Sequence, residues 1–127
     1  MRAYDNVIRV VIADDHRLFA DALEAILDAD ERLAVVGTAR DGAEAVELAR
    51  TLAPDVVLLD ISMPIMDGFA AARAIGALEK PPAVLMLTGS NSAQDVDRAR
   101  RAGARGYVTK DDIAATLVDA IVAAARR

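Results

Sequence analysis

Five short runs along this chain are apolar almost without interruption, and each gives way to a longer stretch whose apolar residues recur at helical spacing. Val7 to Ala13 (V-I-R-V-V-I-A) is short and β-branched, the pattern of a strand buried on both faces of a parallel sheet. From Leu18 the period changes. Leu18, Phe19, Ala22, Leu23, Ile26 and Leu27 share one side, with Arg17, Asp21, Glu24 and Asp28 on the other, which predicts a helix. Leu33 to Ala39 reads as the second strand. Asp41 then offers an N-cap with Glu44 three residues on, a capping box with Asp in the first place. Ala45, Val46, Leu48, Ala49 and Leu52 continue that helix, and Pro54 lies in the loop after it.

Val56-Val57-Leu58-Leu59 predicts the central strand, which ends at Asp60. Ile61 to Gly68 carries Pro64 and Asp67-Gly68 and is a loop. An alanine-rich helix is expected over roughly Phe69 to Leu78, and Pro81-Pro82 separates it from the strand Ala83 to Leu87, ended by Thr88. Ser92-Ala93-Gln94-Asp95 marks a helix start and Gly103 a helix stop. Gly106 to Thr109 is the fifth strand and ends at Lys110. Asp111 or Asp112 is expected to cap the last helix, through Ile113, Leu117, Val118, Ile121 and Val122. Strict (βα)5 alternation with short buried strands implies an α/β fold: a five-stranded parallel sheet, doubly wound, with helices on both faces.

The 127 residues suit one domain, 1–127, with no linker or low-complexity segment and no output domain after the last helix. Twenty acidic against fifteen basic residues give a net charge of -5, which argues against a general nucleic-acid-binding face. There is no cysteine, so disulfides, thiolate metal sites and cysteine nucleophiles are excluded. The polar start, Met1 to Asn6, is not a signal peptide, and no apolar run approaches the ~20 residues of a membrane helix. A cytoplasmic protein is expected.

In an open parallel sheet the ligand crevice lies beyond the carboxyl ends of the strands. The first strand ends in Asp14-Asp15, the third in Asp60, the fourth in Thr88 and the fifth at Lys110, so three carboxylates, a hydroxyl and an ammonium share one edge. Gathered carboxylates repel, and without compensation one takes up a proton. A divalent cation relieves this, and hard oxygen ligands favour Mg²⁺. The lysine and threonine suit phosphoryl oxygens, and a carboxylate can itself accept a phosphoryl group. Asp60, ending the central strand, is best placed to do so.

Four segments then resemble the receiver domains of response regulators in two-component signalling: Ala13-Asp14-Asp15-His16, Asp60 to Gly68 (D-I-S-M-P-I-M-D-G), Leu87-Thr88-Gly89 and Gly106-Tyr107-Val108-Thr109-Lys110. They span the chain in the family's order. The opening Asp-Asp-His, and Lys110 followed by Asp, most resemble receivers that precede a LuxR/NarL-type helix-turn-helix domain. The resemblance implies the flavodoxin-like strand order 2-1-3-4-5. It implies phosphorylation of Asp60 by a sensor histidine kinase, with Asp15 binding Mg²⁺ directly, Asp14 through water, and the Ser62 backbone carbonyl as a further ligand. Thr88 and Lys110 would contact the phosphoryl group, and the Tyr107 rotamer would follow Thr88. It also implies a homodimer on phosphorylation and an output in transcription, with DNA contacted through a C-terminal helix-turn-helix domain if the chain is a fragment, the reading favoured here.

Two departures stand out. Many receivers carry Lys-Pro with a cis bond where this chain has Lys110-Asp111, and a cis bond before a non-proline residue costs ~3–4 kcal/mol. Ser62 and Ser90, each two residues beyond a site residue, are small and polar, which predicts water access and a short-lived acyl phosphate. Blander readings stand beside these: Asp14 or Asp15 as a cap of the first helix, Tyr107 as packing, His16 as a local polar residue, and Arg98, Arg100, Arg101 and Arg105 as a solvated face. A dehalogenase-type phosphatase would carry a second acid two residues after its nucleophile, and Ser62 holds that position. A binding module that never carries phosphate is the third alternative.

Overall fold

The computed structural model describes residues 7–89 and 93–126. The elements alternate as read: β1 (Ile8–Ala13), α1 (Arg17–Asp28), β2 (Leu33–Ala39), α2 (Gly42–Leu52), β3 (Val56–Asp60), α3 (Gly68–Gly76), β4 (Ala83–Thr88), α4 (Ala93–Arg101), β5 (Gly106–Thr109) and α5 (Ile113–Ala125). All four strand pairings are parallel, and the order is β2-β1-β3-β4-β5. β3 is central, and every one of its residues is buried.

Side chains alternate across the pleat and feed two cores. Val10 and Ile12, Val56 and Leu58, and Leu85 and Leu87 point to one face, where Leu23 and Leu27 of α1 and Leu117 and Ile121 of α5 cover them. Val11, Val57, Leu59, Val84 and Met86 point to the other. That face is covered by Ala45 and Ala49 of α2, Ala71, Ala72 and Ile75 of α3, and Ala99 of α4. Burial on both faces is why the strands read as unbroken apolar runs rather than as alternations.

The helix ends show where local chemistry decided the boundary. Asp41 Oδ1 accepts from the Glu44 amide at 2.8 Å, as expected, but the Glu44 carboxylate takes the Arg40 amide (3.2 Å) instead of that of Asp41. α3 stops at Gly76, short of Leu78, because the last bonds tighten to Ala77 N–H to Ala74 O and Leu78 N–H to Ile75 O. Gly103, at φ +98°, ends α4 as expected: its amide bonds to Arg100 O and the Ala104 amide to Ala99 O, the paired bonds of a Schellman motif. Ser92, read as part of that helix's start, lies outside the described residues, as does Ser90.

Two expectations are corrected. Neither Asp14 nor Asp15 caps α1; the cap position is His16, whose side chain makes no capping bond. A 3₁₀ turn, Lys110–Asp112, precedes α5, and Asp112 sits at the cap position without a side-chain cap, because the turn already engages this backbone. The Lys110–Asp111 peptide is trans.

Candidate functional site

The parallel register brings the strand ends level. Ala13 pairs with Leu59, Asp60 with Leu87, and Thr88 with Thr109, so the residues that follow or end these strands meet at one edge. Asp14 and Asp60 are almost wholly enclosed, Asp60 at 3% exposure, and Thr88 is buried beside them. Asp15 is exposed at the rim.

Lys110 reaches in from the end of β5. Its Nζ donates to Asp14 Oδ2 at 3.3 Å and lies 3.3 Å from Asp60 Oδ2, while resting 4.5 Å from the centre of the Phe19 ring. The lysine–Asp60 contact is an ion pair without hydrogen-bond alignment, and Asp60 Oδ2 is buried without a hydrogen-bond partner. Asp60 Oδ1 accepts a long bond, 3.4 Å, from the Ser62 amide. Burial is the main force raising the Asp60 pKa above the ordinary carboxylate value, and the Asp14 charge adds to it; Lys110 and the Ser62 amide pull it back only in part.

One residue belongs to the site more closely than the sequence suggested. His16 Nδ1 lies 3.2 Å from Asp14 Oδ1, 3.3 Å from Asp15 Oδ1 and 3.9 Å from Asp60 Oδ2. One ligand atom each from Asp14, Asp15, His16 and Asp60 fall within 4.8 Å of one another. The signal available was three metal-type donors in succession after a strand, Asp14-Asp15-His16.

The loop between β3 and α3 is pinned beside this cluster by backbone contacts. The Gly68 amide donates to Ile61 O (2.9 Å) and the Gly42 amide to Met66 O (3.0 Å). A Cβ on Gly68 would lie 2.3 Å from Asp60 O, and one on Gly42 2.1 Å from Met66 O, so neither position admits a side chain. Met63 and Met66 pack against the core. An open groove runs from Asp15 and His16 over Ser62 and Pro64 to Phe69 and Arg98.

Tyr107 stands opposite Met86 and alternates with buried Val108, which puts it on the same face as Thr88 and Thr109; it is 42% exposed. All four arginines of the cluster are exposed, as a solvated face would be, and three of them are also engaged. Arg98 stacks on the Phe69 ring at 4.0 Å, Arg101 pairs with Asp97 at 2.7 Å, and Arg105 Nη1 donates to Ala124 O at 2.7 Å.

A buried carboxylate with an oxygen that accepts no hydrogen bond and has only an ion pair to Lys110, flanked by two further acids, fits a hard divalent cation and a phosphoryl group. The fold and this edge together define an α/β receiver, and the comparisons agree. The response regulator receiver domain model matches residues 10–122, and the chain belongs to that family. It is 39% identical over 119 residues to the probable transcriptional regulatory protein NarL of Mycobacterium tuberculosis (strain ATCC 25618 / H37Rv), covering 94% of this chain and 55% of that protein. The chain therefore spans about half the length of that curated relative. The solved receiver domain of the putative response regulator NarL from Mycobacterium tuberculosis superposes with a TM-score of 0.91 at 38% identity, over 95% of this chain and 98% of that one. A CheX–CheY–BeF3–Mg+2 complex from Borrelia burgdorferi superposes with a TM-score of 0.86 at 27% identity, over 97% and 93%. Among the described residues no helix is long and apolar enough to cross a membrane.

Proposed function

We propose that this receiver is a phosphorylation switch. Asp60 takes a phosphoryl group from the phosphohistidine of a partner sensor histidine kinase in a Mg²⁺-dependent reaction. The observation that carries the reading is Asp60 Oδ2: buried, without a hydrogen-bond partner, and 3.3 Å from the Lys110 ammonium. A carboxylate left this way retains its lone pairs for a new bond.

An Asp60 carboxylate oxygen attacks phosphorus, and the bond from phosphorus to the donor imidazole nitrogen breaks, its electron pair remaining on nitrogen. Asp60 becomes an acyl phosphate. Asp15 and Asp60, with Asp14 through water and the Ser62 carbonyl, are the groups that would hold Mg²⁺. The ion, when bound, supplies positive charge that offsets the acids and the phosphoryl oxygens. Lys110 swings from the carboxylates to a phosphoryl oxygen, and the Thr88 hydroxyl donates to another. Thr88 ends β4 and Lys110 follows β5, so their displacement shifts β4, β5 and α4, with Tyr107 on the same face following Thr88. Support for the metal comes from the donor set, and from a fold-mate whose complex is named for BeF3 and Mg+2.

The output we propose is transcription, because the curated relative is named a probable transcriptional regulatory protein and the match covers 55% of its length. Residues 1–127 would then be the receiver part of a cytoplasmic regulator that dimerises on phosphorylation and contacts DNA through a C-terminal helix-turn-helix domain. The receiver itself makes no nucleic-acid contact, and it acts on no separate substrate beyond its own phosphorylation and dephosphorylation. The test is incubation with Mg²⁺ and beryllofluoride or acetyl phosphate, with Asp60→Asn alongside, followed by intact mass and fluorine NMR. An adduct on the wild type alone is expected. Turnover of phosphate esters, or no adduct at all, would overturn the reading.

A further inference from the structure

We propose that His16 is an additional metal ligand, so that the site takes a transition-metal ion such as Co²⁺, Mn²⁺ or Zn²⁺ through mixed imidazole and carboxylate coordination. This rests on the acid cluster being a metal site, as argued above.

The geometry carries it. Two ligands on one ion, each about 2.1 Å from it, lie about 3.0 to 3.4 Å apart when adjacent in octahedral or tetrahedral arrangements. His16 Nδ1 stands 3.3 Å from Asp15 Oδ1, within that spacing, and 3.9 Å from Asp60 Oδ2, while its 3.2 Å contact with Asp14 Oδ1 is a hydrogen bond to the acid that would reach the ion through water. The Asp60 oxygen is enclosed and without a hydrogen-bond partner, a buried acceptor aimed at the same space. Among the described residues the imidazole touches only these acids, through a hydrogen bond with Asp14 Oδ1 and the contacts with Asp15 and Asp60, and it sits at the cap position of α1 without capping it. Its backbone is anchored, since the His16 amide donates to Asp14 Oδ1 at 2.8 Å, which holds the ring over the acids. The side chain is 67% exposed, so it can rotate onto an ion without disturbing the core.

The two basic groups also divide the carboxylates between them. Lys110 takes Asp14 Oδ2 and faces Asp60 Oδ2, whereas His16 faces Asp14 Oδ1 and Asp15 Oδ1. An ion on the His16 side would therefore leave Lys110 in place for the phosphoryl group. Imidazole is a poor ligand for Mg²⁺ and a good one for later first-row ions, so His16 tilts selectivity rather than creating the site.

The test is a set of calorimetric titrations of the untagged chain with Mg²⁺, Mn²⁺, Co²⁺ and Zn²⁺, for wild type, His16→Asn and Asp60→Asn. His16→Asn retains a good N-cap residue, which protects the start of α1. The expected result is a loss of at least about tenfold in Co²⁺ and Zn²⁺ affinity in His16→Asn, with Mg²⁺ affinity within about twofold of wild type. Because the chain has a single histidine, the two ring-proton signals are unambiguous, and Co²⁺ should shift both strongly. Equal ratios of Co²⁺ to Mg²⁺ affinity in wild type and His16→Asn, or ring protons unmoved by Co²⁺, would overturn the proposal. Mg²⁺ binding that disappears in Asp60→Asn would uphold the acid cluster in either case, so failure of the histidine and failure of the site are told apart.

Discussion

The two helical layers of this molecule are built from different materials. The layer of α1 and α5 covers the sheet with Leu23, Leu27, Leu117 and Ile121, whereas the layer of α2, α3 and α4 uses mainly alanine: Ala45, Ala49, Ala71, Ala72 and Ala99. Large aliphatics give burial energy and some freedom to repack, while alanine gives close backbone approach and little freedom. The loop that follows Asp60 is clamped on the alanine side, between the first residues of α2 and α3, with glycine at both contacts. The difference teaches that one layer supplies stability and the other supplies position.

Four measurements can break or sharpen that division. Leu117→Ala, in the aliphatic layer, should lower unfolding free energy by about 3 kcal/mol in urea while leaving Mg²⁺ affinity within about twofold. A matching fall in metal affinity would show that the layers are not separable. Gly68→Ala should cost about 2–3 kcal/mol and also weaken Mg²⁺ and beryllofluoride binding, because its Cβ would meet Asp60 O at 2.3 Å and only the backbone can yield. Unchanged stability there would remove the clamp from the account.

Asp60→Asn, measured with chelator present, should raise stability by about 1 kcal/mol at neutral pH. Burial lifts the folded-state pKa of Asp60 above the ordinary aspartate value of 3.8, so the folded chain keeps this proton to higher pH than the unfolded chain. The carboxyl is neutral in both states below 3.8, and its contribution worsens as pH rises through the folded pKa. The gain of the variant should therefore vanish as pH falls towards 4; a gain that grows in acid would reverse the sign. Ile65→Gly should be the smallest effect, a stabilisation of about 0.5 kcal/mol with metal binding unchanged, since Ile65 is exposed and held at φ +70°. Lost binding in that variant would extend the positional role to the tip of the loop.

Much of this was legible in the chain. Strands buried on both faces announce themselves, and Val56 to Leu59 placed Asp60 without ambiguity. β2, read as Leu33 to Ala39, has those bounds. The strand order came from the family resemblance, because a run of apolar residues does not record its neighbours. Asp14, Asp60, Thr88 and Lys110 do share one edge, which chain position at strand ends was enough to indicate. His16 was underrated because ring orientation depends on the turn after β1, where the Asp14 carboxylate binds the His16 amide instead of capping α1. The packing of Arg98 on Phe69 was equally out of reach, since it joins α4 to α3 across 29 residues of chain.

The fifth strand is the lightest part of the sheet. It has four residues, lies at the edge, and buries only Val108, against the fully buried run of β3. Amide protons should therefore exchange with solvent sooner in β5 than in β3, by openings far smaller than global unfolding. Lys110 is tethered directly to that strand, while its two acid partners are anchored in β1 and β3. The positive arm of the site is hung on a short, lightly buried edge strand, so its residence on the carboxylates should follow local fraying of β5 more than the stability of the whole molecule.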